Sequence, residues 1–184
     1  TIGTSIDLVD GYPNQTFQLL KGAGLKMSSL QIIAKNGWTA DDLKNGLANA
    51  DKKSAYQIVT ILIGVNNQFN SKPVNEFKKD LDKLLIKINN LKKKNGSVLI
   101  ISIPDWGSSP FGLGFDRNEI SNEINTFNNS LKSFANNNGL DYVDVTEISR
   151  RAINEPNLIA VDNLHPSGIM YLEWAKKIFQ VWID

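Results

Sequence analysis

Apolar residues fall along this chain in two alternating rhythms. Unbroken apolar runs stand at LQIIA (30–34), QIVTILI (57–63), SVLIISI (97–103) and LDYVDV (140–145). Short continuous runs predict strands buried on both faces, as in a parallel sheet. Between the runs the rhythm becomes helical. Val74, Phe77, Leu81, Leu84, Leu85, Ile88 and Leu91 follow Pro73 at helical spacing, and Ile120, Ile124, Phe127, Leu131 and Phe134 form a second stripe. Thr39, followed by acids in TADDLKNGLANA, predicts a helix N-cap. GIMYLEWAKKIFQVWI predicts a last helix starting near Ser167, with Ile169, Leu172, Ala175, Ile178, Phe179 and Trp182 on one stripe.

Alternating strand and helix predict one α/β domain over residues 1–184, its parallel sheet covered by helices on both sides. Counting a shortened first strand ahead of Gly3, the sheet is expected to hold about five strands. The totals narrow the chemistry. There is no cysteine, which excludes disulfides, thiolate metal sites and cysteine nucleophiles. A net charge of +1 implies no nucleic-acid partner, and no apolar run reaches membrane-spanning length. The chain opens at Thr1-Ile2-Gly3 without a methionine, as a trimmed or processed chain would. Bacterial cytoplasm and export with a lost signal fit equally well, and the oligomeric state is left open.

In a parallel sheet, ligands bind beyond the carboxyl ends of the strands. Five segments lie there. In GTSIDLVDG (3–11), Ser5 can stand exposed at a strand-to-helix turn, or it can merely cap the helix near Pro13. In AKNGWTADDL, Gly37 lets a backbone N–H approach a ligand, unless it is an ordinary turn glycine. LIGVNNQFN puts the carboxamides of Asn66 and Asn67 at a strand end, either as donors to developing charge or as an Asn-rich turn. IPDWGSSPFGLGF (103–115) is a long loop whose Trp106 and Phe111 either line a pocket or pack on the core. In VDNLHPSG, the lone histidine, His165, stands three residues after Asp162, which can hold one ring nitrogen and leave the other as a base. A cap turn with an incidental histidine is the alternative. Together these segments supply a nucleophile, a base, an orienting carboxylate and oxyanion donors for acyl transfer by a serine.

The ordered blocks Gly3-Thr4-Ser5-Ile6, Gly37 in NGWTADDL, Gly64-Val65-Asn66-Asn67 and Asp162-Asn163-Leu164-His165 resemble those of the SGNH (GDSL-type) hydrolases, across essentially the whole chain. The resemblance implies a three-layer α/β/α sandwich, flavodoxin-like in outline. It implies a serine esterase with Ser5 as nucleophile, His165 as general base and Asp162 as its orienter. Ser5 N–H, Gly37 N–H and the Asn66 side chain would form the oxyanion hole. No metal or organic cofactor is expected. Two positions depart from the family pattern: Thr4 and Asn67 stand where aspartates are usual, so altered local support is expected rather than a dead site. Substrates within this reading are short-chain acyl esters, sugars that the reaction deacetylates, lysophospholipids or thioesters, with Trp106 and Phe111 in the wall of the pocket. Two rivals remain. One is a catalytically impaired module on the same fold that binds glycans or another ligand. The other is a phosphate- or nucleotide-binding domain, disfavoured because no glycine-rich phosphate loop is present.

Overall fold

The computed structural model describes residues 2–50 and 55–183. Its contacts cluster into two compact units, Thr1–Ile32 with Pro104–Asn122 and Val145–Asp184, and Ile33–Ile103 with Glu123–Asp144. In chain order the elements are α1 (Tyr12–Gly22), α2 (Ala40–Gly46), β1 (Tyr56–Ile61), α3 (Val65–Phe69), α4 (Val74–Asn89), β2 (Lys92–Ile101), α5 (Arg117–Asn137), β3 (Asp141–Val143), α6 (Thr146–Arg150) and α7 (Gly168–Gln180). The chain is thus mixed α/β with a parallel sheet, as the alternating rhythm predicts.

The second unit holds the sheet, in the order β1-β2-β3, with both pairs parallel. Val59 faces Val98 and Ile61 faces Ile100, while Ile101 faces Val143. Val98, Leu99, Ile100 and Ile101 are all buried, so the unbroken run at 97–103 does mark a strand covered on both faces. Where β2 leaves the sheet, the Asn128 carboxamide bridges Ile103: Oδ1 accepts from its N–H at 2.8 Å and Nδ2 donates to its carbonyl at 3.0 Å. That replaces the ladder bonds a buried strand end would otherwise lack. Helix α4 buries Phe77, Leu81, Leu84 and Ile88, which are the core of its predicted stripe.

In the first unit α1 packs with α7. Tyr12 and Tyr171 lie 6.3 Å apart between ring centroids, and Tyr171 meets Trp174 edge-on at 5.0 Å. Ser167 caps α7 by accepting from the Met170 N–H at 3.3 Å. The buried stripe of this helix is Met170, Tyr171, Trp174, Ala175 and Ile178, not the one expected from the sequence. Ile169 and Leu172 are exposed. Two overlapping apolar stripes share Ala175 and Ile178, and the one adopted puts Tyr171 and Trp174 inside.

The expectation of about five strands is corrected to three among the described residues. Gly3 turns the chain at φ +76°, and Ile2, the described residue ahead of it, lies in no strand. The run at 30–34 is irregular. Leu30 and Gln31 are exposed and Ile32, Ile33 and Ala34 only half-buried, so this apolar run does not get the two-sided cover of a central strand.

Candidate active site

Ser5 sits in a tight turn and has a left-handed backbone, φ +63°. For a residue with a Cβ this conformation costs roughly 1–2 kcal/mol, and such strain gathers at functional sites. Ser5 is not a helix cap: the short 3-10 turn Leu8–Asp10 starts from Asp7 and α1 from Gly11. Its hydroxyl donates instead to Asp162 Oδ2 at 2.7 Å.

The DNLH stretch is the tip of a small hairpin. Ile159 and Pro166 form an antiparallel bridge, Ala160 N–H donates to the His165 carbonyl at 2.8 Å, and Asn163 takes φ +64° at the tip. Asn tolerates that conformation better than most residues. Asp162 closes the turn on itself: Oδ1 accepts from the N–H groups of Leu164 (3.0 Å) and His165 (2.9 Å). Oδ2 lies 2.7 Å from His165 Nδ1. Against an ionised carboxylate that nitrogen carries the proton, which leaves Nε2 with its lone pair. Partial burial pushes the Asp162 carboxyl up, but hydrogen bonds from the His165 backbone, the Ser5 hydroxyl, the Leu164 backbone and the imidazole outweigh it. Asp162 is therefore held well below the usual carboxylate range and stays charged. Ser5, Asp162 and His165 form one cluster, but the serine hydroxyl is bonded to the carboxylate rather than to the imidazole.

The loop after β2 folds into two 3-10 turns, Trp106–Ser108 and Phe111–Gly114. Its two predicted aromatics touch, with ring centroids 6.0 Å apart, but differ in burial. Trp106 is buried, at 9% exposure, and meets Phe115 edge-on at 5.1 Å. Phe111 is 39% exposed, and its backbone N–H donates to the Asn163 carbonyl at 3.0 Å. That bond joins the loop to the DNLH turn.

In the second unit Gly37 is exposed at φ +81°. Thr39 beside it caps α2 in a reciprocal box with Asp42. Asn66 Nδ2 donates to the Trp38 carbonyl at 3.0 Å, which ties the Asn66 carboxamide to the Gly37 turn and leaves its second amide proton available. Asn67 is 1% exposed, and its Oδ1 accepts from the Ala40 N–H at 2.9 Å. It holds the start of α2. No group of His, Asp and Glu among the described residues could hold a metal ion.

Sequence reasoning missed Asp105. It is buried and accepts from Ser121 Oγ, Arg150 Nε and the Gly107 N–H. Its only local signal is an acid directly after a strand, and its partners lie far along the chain.

Comparison with known proteins supplies the wider context. The model of the GDSL-like lipase/acylhydrolase family matches residues 1–171. None of the curated proteins matches the sequence. Among solved structures, a member of the lipolytic G-D-S-L family from Veillonella parvula is 15% identical, with a TM-score of 0.76 over 99% of this chain and 92% of that one. The acetylxylan esterase Axe2 from Geobacillus stearothermophilus is 18% identical, with a TM-score of 0.73 over 95% and 82%. The psychrotrophic esterase EstA from Pseudoalteromonas sp. is 14% identical, with a TM-score of 0.74 over 100% and 93%. At such identities the likeness is one of fold.

Proposed function

Since the chain belongs to the GDSL-like lipase/acylhydrolase family and is thereby a carboxylic ester hydrolase, we propose that it cleaves small acyl esters through a Ser5–His165–Asp162 triad and an acyl-enzyme. The observation that carries this reading is the shared Asp162 Oδ2, 2.7 Å from both the Ser5 hydroxyl and His165 Nδ1. Asp162 orients the imidazole and leaves Nε2 as the nitrogen that faces the substrate. Before attack, Ser5 turns its hydroxyl from the carboxylate to Nε2, a side-chain rotation that costs little time beside turnover. Apo geometry of this kind often tightens only with substrate bound.

Ser5 Oγ then bonds to the ester carbonyl carbon as its proton passes to Nε2. The carbonyl oxygen becomes an oxyanion, met by the N–H groups of Ser5 and Gly37 and the second amide proton of Asn66. As the tetrahedral intermediate collapses, the imidazolium returns that proton to the departing alcohol and the acyl group stays on Ser5. Water, deprotonated by His165, attacks the acyl-enzyme, and the imidazolium returns that proton to Ser5 Oγ as the acid leaves.

The test is a panel of acyl esters varied in chain length and alcohol. It includes acetylated oligosaccharides, since Axe2 is an acetylxylan esterase. Wild type should turn over at least one ester and be labelled by a fluorophosphonate, and folded Ser5→Ala should do neither. Comparable turnover by Ser5→Ala would remove the nucleophile assignment. A second reading draws on the same geometry. A serine held by the carboxylate instead of the imidazole suits a module that binds glycans or another ligand without cleaving it. A wild type that binds such a ligand, resists the fluorophosphonate and hydrolyses nothing would favour that reading.

A further inference from the structure

The proposed chemistry leaves one buried carboxylate unused. Asp105 is 3% exposed. Its Oδ2 accepts from Ser121 Oγ at 2.5 Å and Arg150 Nε at 3.0 Å, and its Oδ1 accepts from the Gly107 N–H at 3.1 Å. Its own N–H donates to Ser149 Oγ at 2.8 Å. A buried ion pair is a poor source of stability beside well-packed apolar residues, yet it holds geometry tightly once every polar group is matched.

From Asp105 the restraint runs outward along the loop. Gly112 lies so close to Gly107 that a methyl group on it would overlap the Gly107 carbonyl and come within 2.7 Å of its Cα. Ser109 Oγ donates to the Trp106 carbonyl at 2.7 Å and accepts from the Gly112 N–H at 3.3 Å. Phe111, beside Gly112, makes the 3.0 Å bond to the Asn163 carbonyl. Asn163 is the left-handed residue between Asp162 and His165.

We propose that Asp105 is a positioning residue: with Arg150 it braces the loop Trp106–Gly114, and the Phe111–Asn163 bond passes that brace to the turn presenting Asp162 and His165. The inference rests on the triad reading above. It adds a cause for the geometry of that turn, supplied by a loop far from it in sequence.

His165 is the only histidine, so its ring protons give a single imidazole set by NMR. Asp105→Asn removes the charge, while Gly112→Ala pushes the loop off Gly107 and leaves the Asp105 side chain with Ser121 and Arg150. In either variant of the full chain, kcat on p-nitrophenyl acetate should fall about tenfold or more, the scale expected when catalytic groups are slightly misplaced. KM should stay within about twofold, fluorophosphonate labelling should slow in step, and the imidazole signal should shift. If Asp105→Asn does not fold, Gly112→Ala carries the same expectation. A folded variant with wild-type kcat and an unmoved imidazole signal overturns the inference, as does a lower melting temperature with both readouts unchanged. The NMR readout does not depend on turnover. A wild type inactive on every ester would therefore sink the triad reading, while a shifted imidazole would still report the brace.

Discussion

The serine turn and the asparagine turn handle backbone strain in opposite ways. In the first, the left-handed positions beside Gly3 are Ser5 and, in the DNLH turn bonded to it, Asn163, both carrying side chains. In the second they are Gly37 and Gly64, and a Cβ on Gly64 would lie 2.8 Å from the Phe77 ring. Polar groups differ in the same sense. Asp162 and His165 are partly exposed, whereas Asn67 and Thr39 are buried and spend their hydrogen bonds on the start of α2. A residue with a side chain takes a left-handed backbone only under strain, whereas glycine adopts it freely.

The sharpest way to break this contrast lies within the asparagine turn, where the proposed function gives adjacent residues different duties. Asn66→Ala should lower kcat by about 10²–10³ with KM nearly constant, the usual loss for one oxyanion donor. Asn66→Asp should be at least as damaging, because a carboxylate repels the oxyanion. Asn67→Ala should act through the fold instead, costing about 1–3 kcal/mol for the unmatched Ala40 N–H, with a milder fall in kcat. Steady-state kinetics beside urea unfolding separate the two. A crippled Asn67→Ala next to a silent Asn66→Ala would reverse their assignment.

A smaller effect on kcat is expected from the loop that joins the DNLH turn. Trp106→Ala should destabilise by about 3 kcal/mol, as a buried aromatic does. Phe111→Ala should cost under about 1 kcal/mol and shift acyl-chain preference, since its ring is 39% exposed. Thermal melts and the ester panel decide. A melting temperature that falls most for Phe111→Ala would mean the exposed ring is the packing anchor.

The smallest difference tests the strain itself. Both Ser5→Gly and Ser5→Ala lose the bond to Asp162, but only glycine relaxes at φ +63°. Ser5→Gly should therefore be the more stable by about 1 kcal/mol in denaturant unfolding. Equal stabilities would show that the turn is not strained.

Much of this molecule was legible in its residues. The helical stripes on α4 and α5, the Thr39 cap and the two-sided burial of β2 follow from local periodicity, and the structure bears them out. The proximity of Asp162 and His165 was readable too, since a tight turn joins residues three apart. The misses share one cause. LQIIA is apolar enough for a strand but lacks cover, and the phase of α7 depended on which face found a partner.

The sequence by itself determined the α/β class, the candidate serine, histidine and aspartate, and the local turns, because periodicity, caps and short-range hydrogen bonds act within a few residues. Tertiary structure alone decided that Ser5 reaches Asp162 across 157 positions, that Asp105 finds Arg150 and Ser121, and that Trp106 turns inward while Phe111 does not. Those outcomes depend on which surfaces meet, and burial and ion pairing take their value from neighbours that no local pattern names.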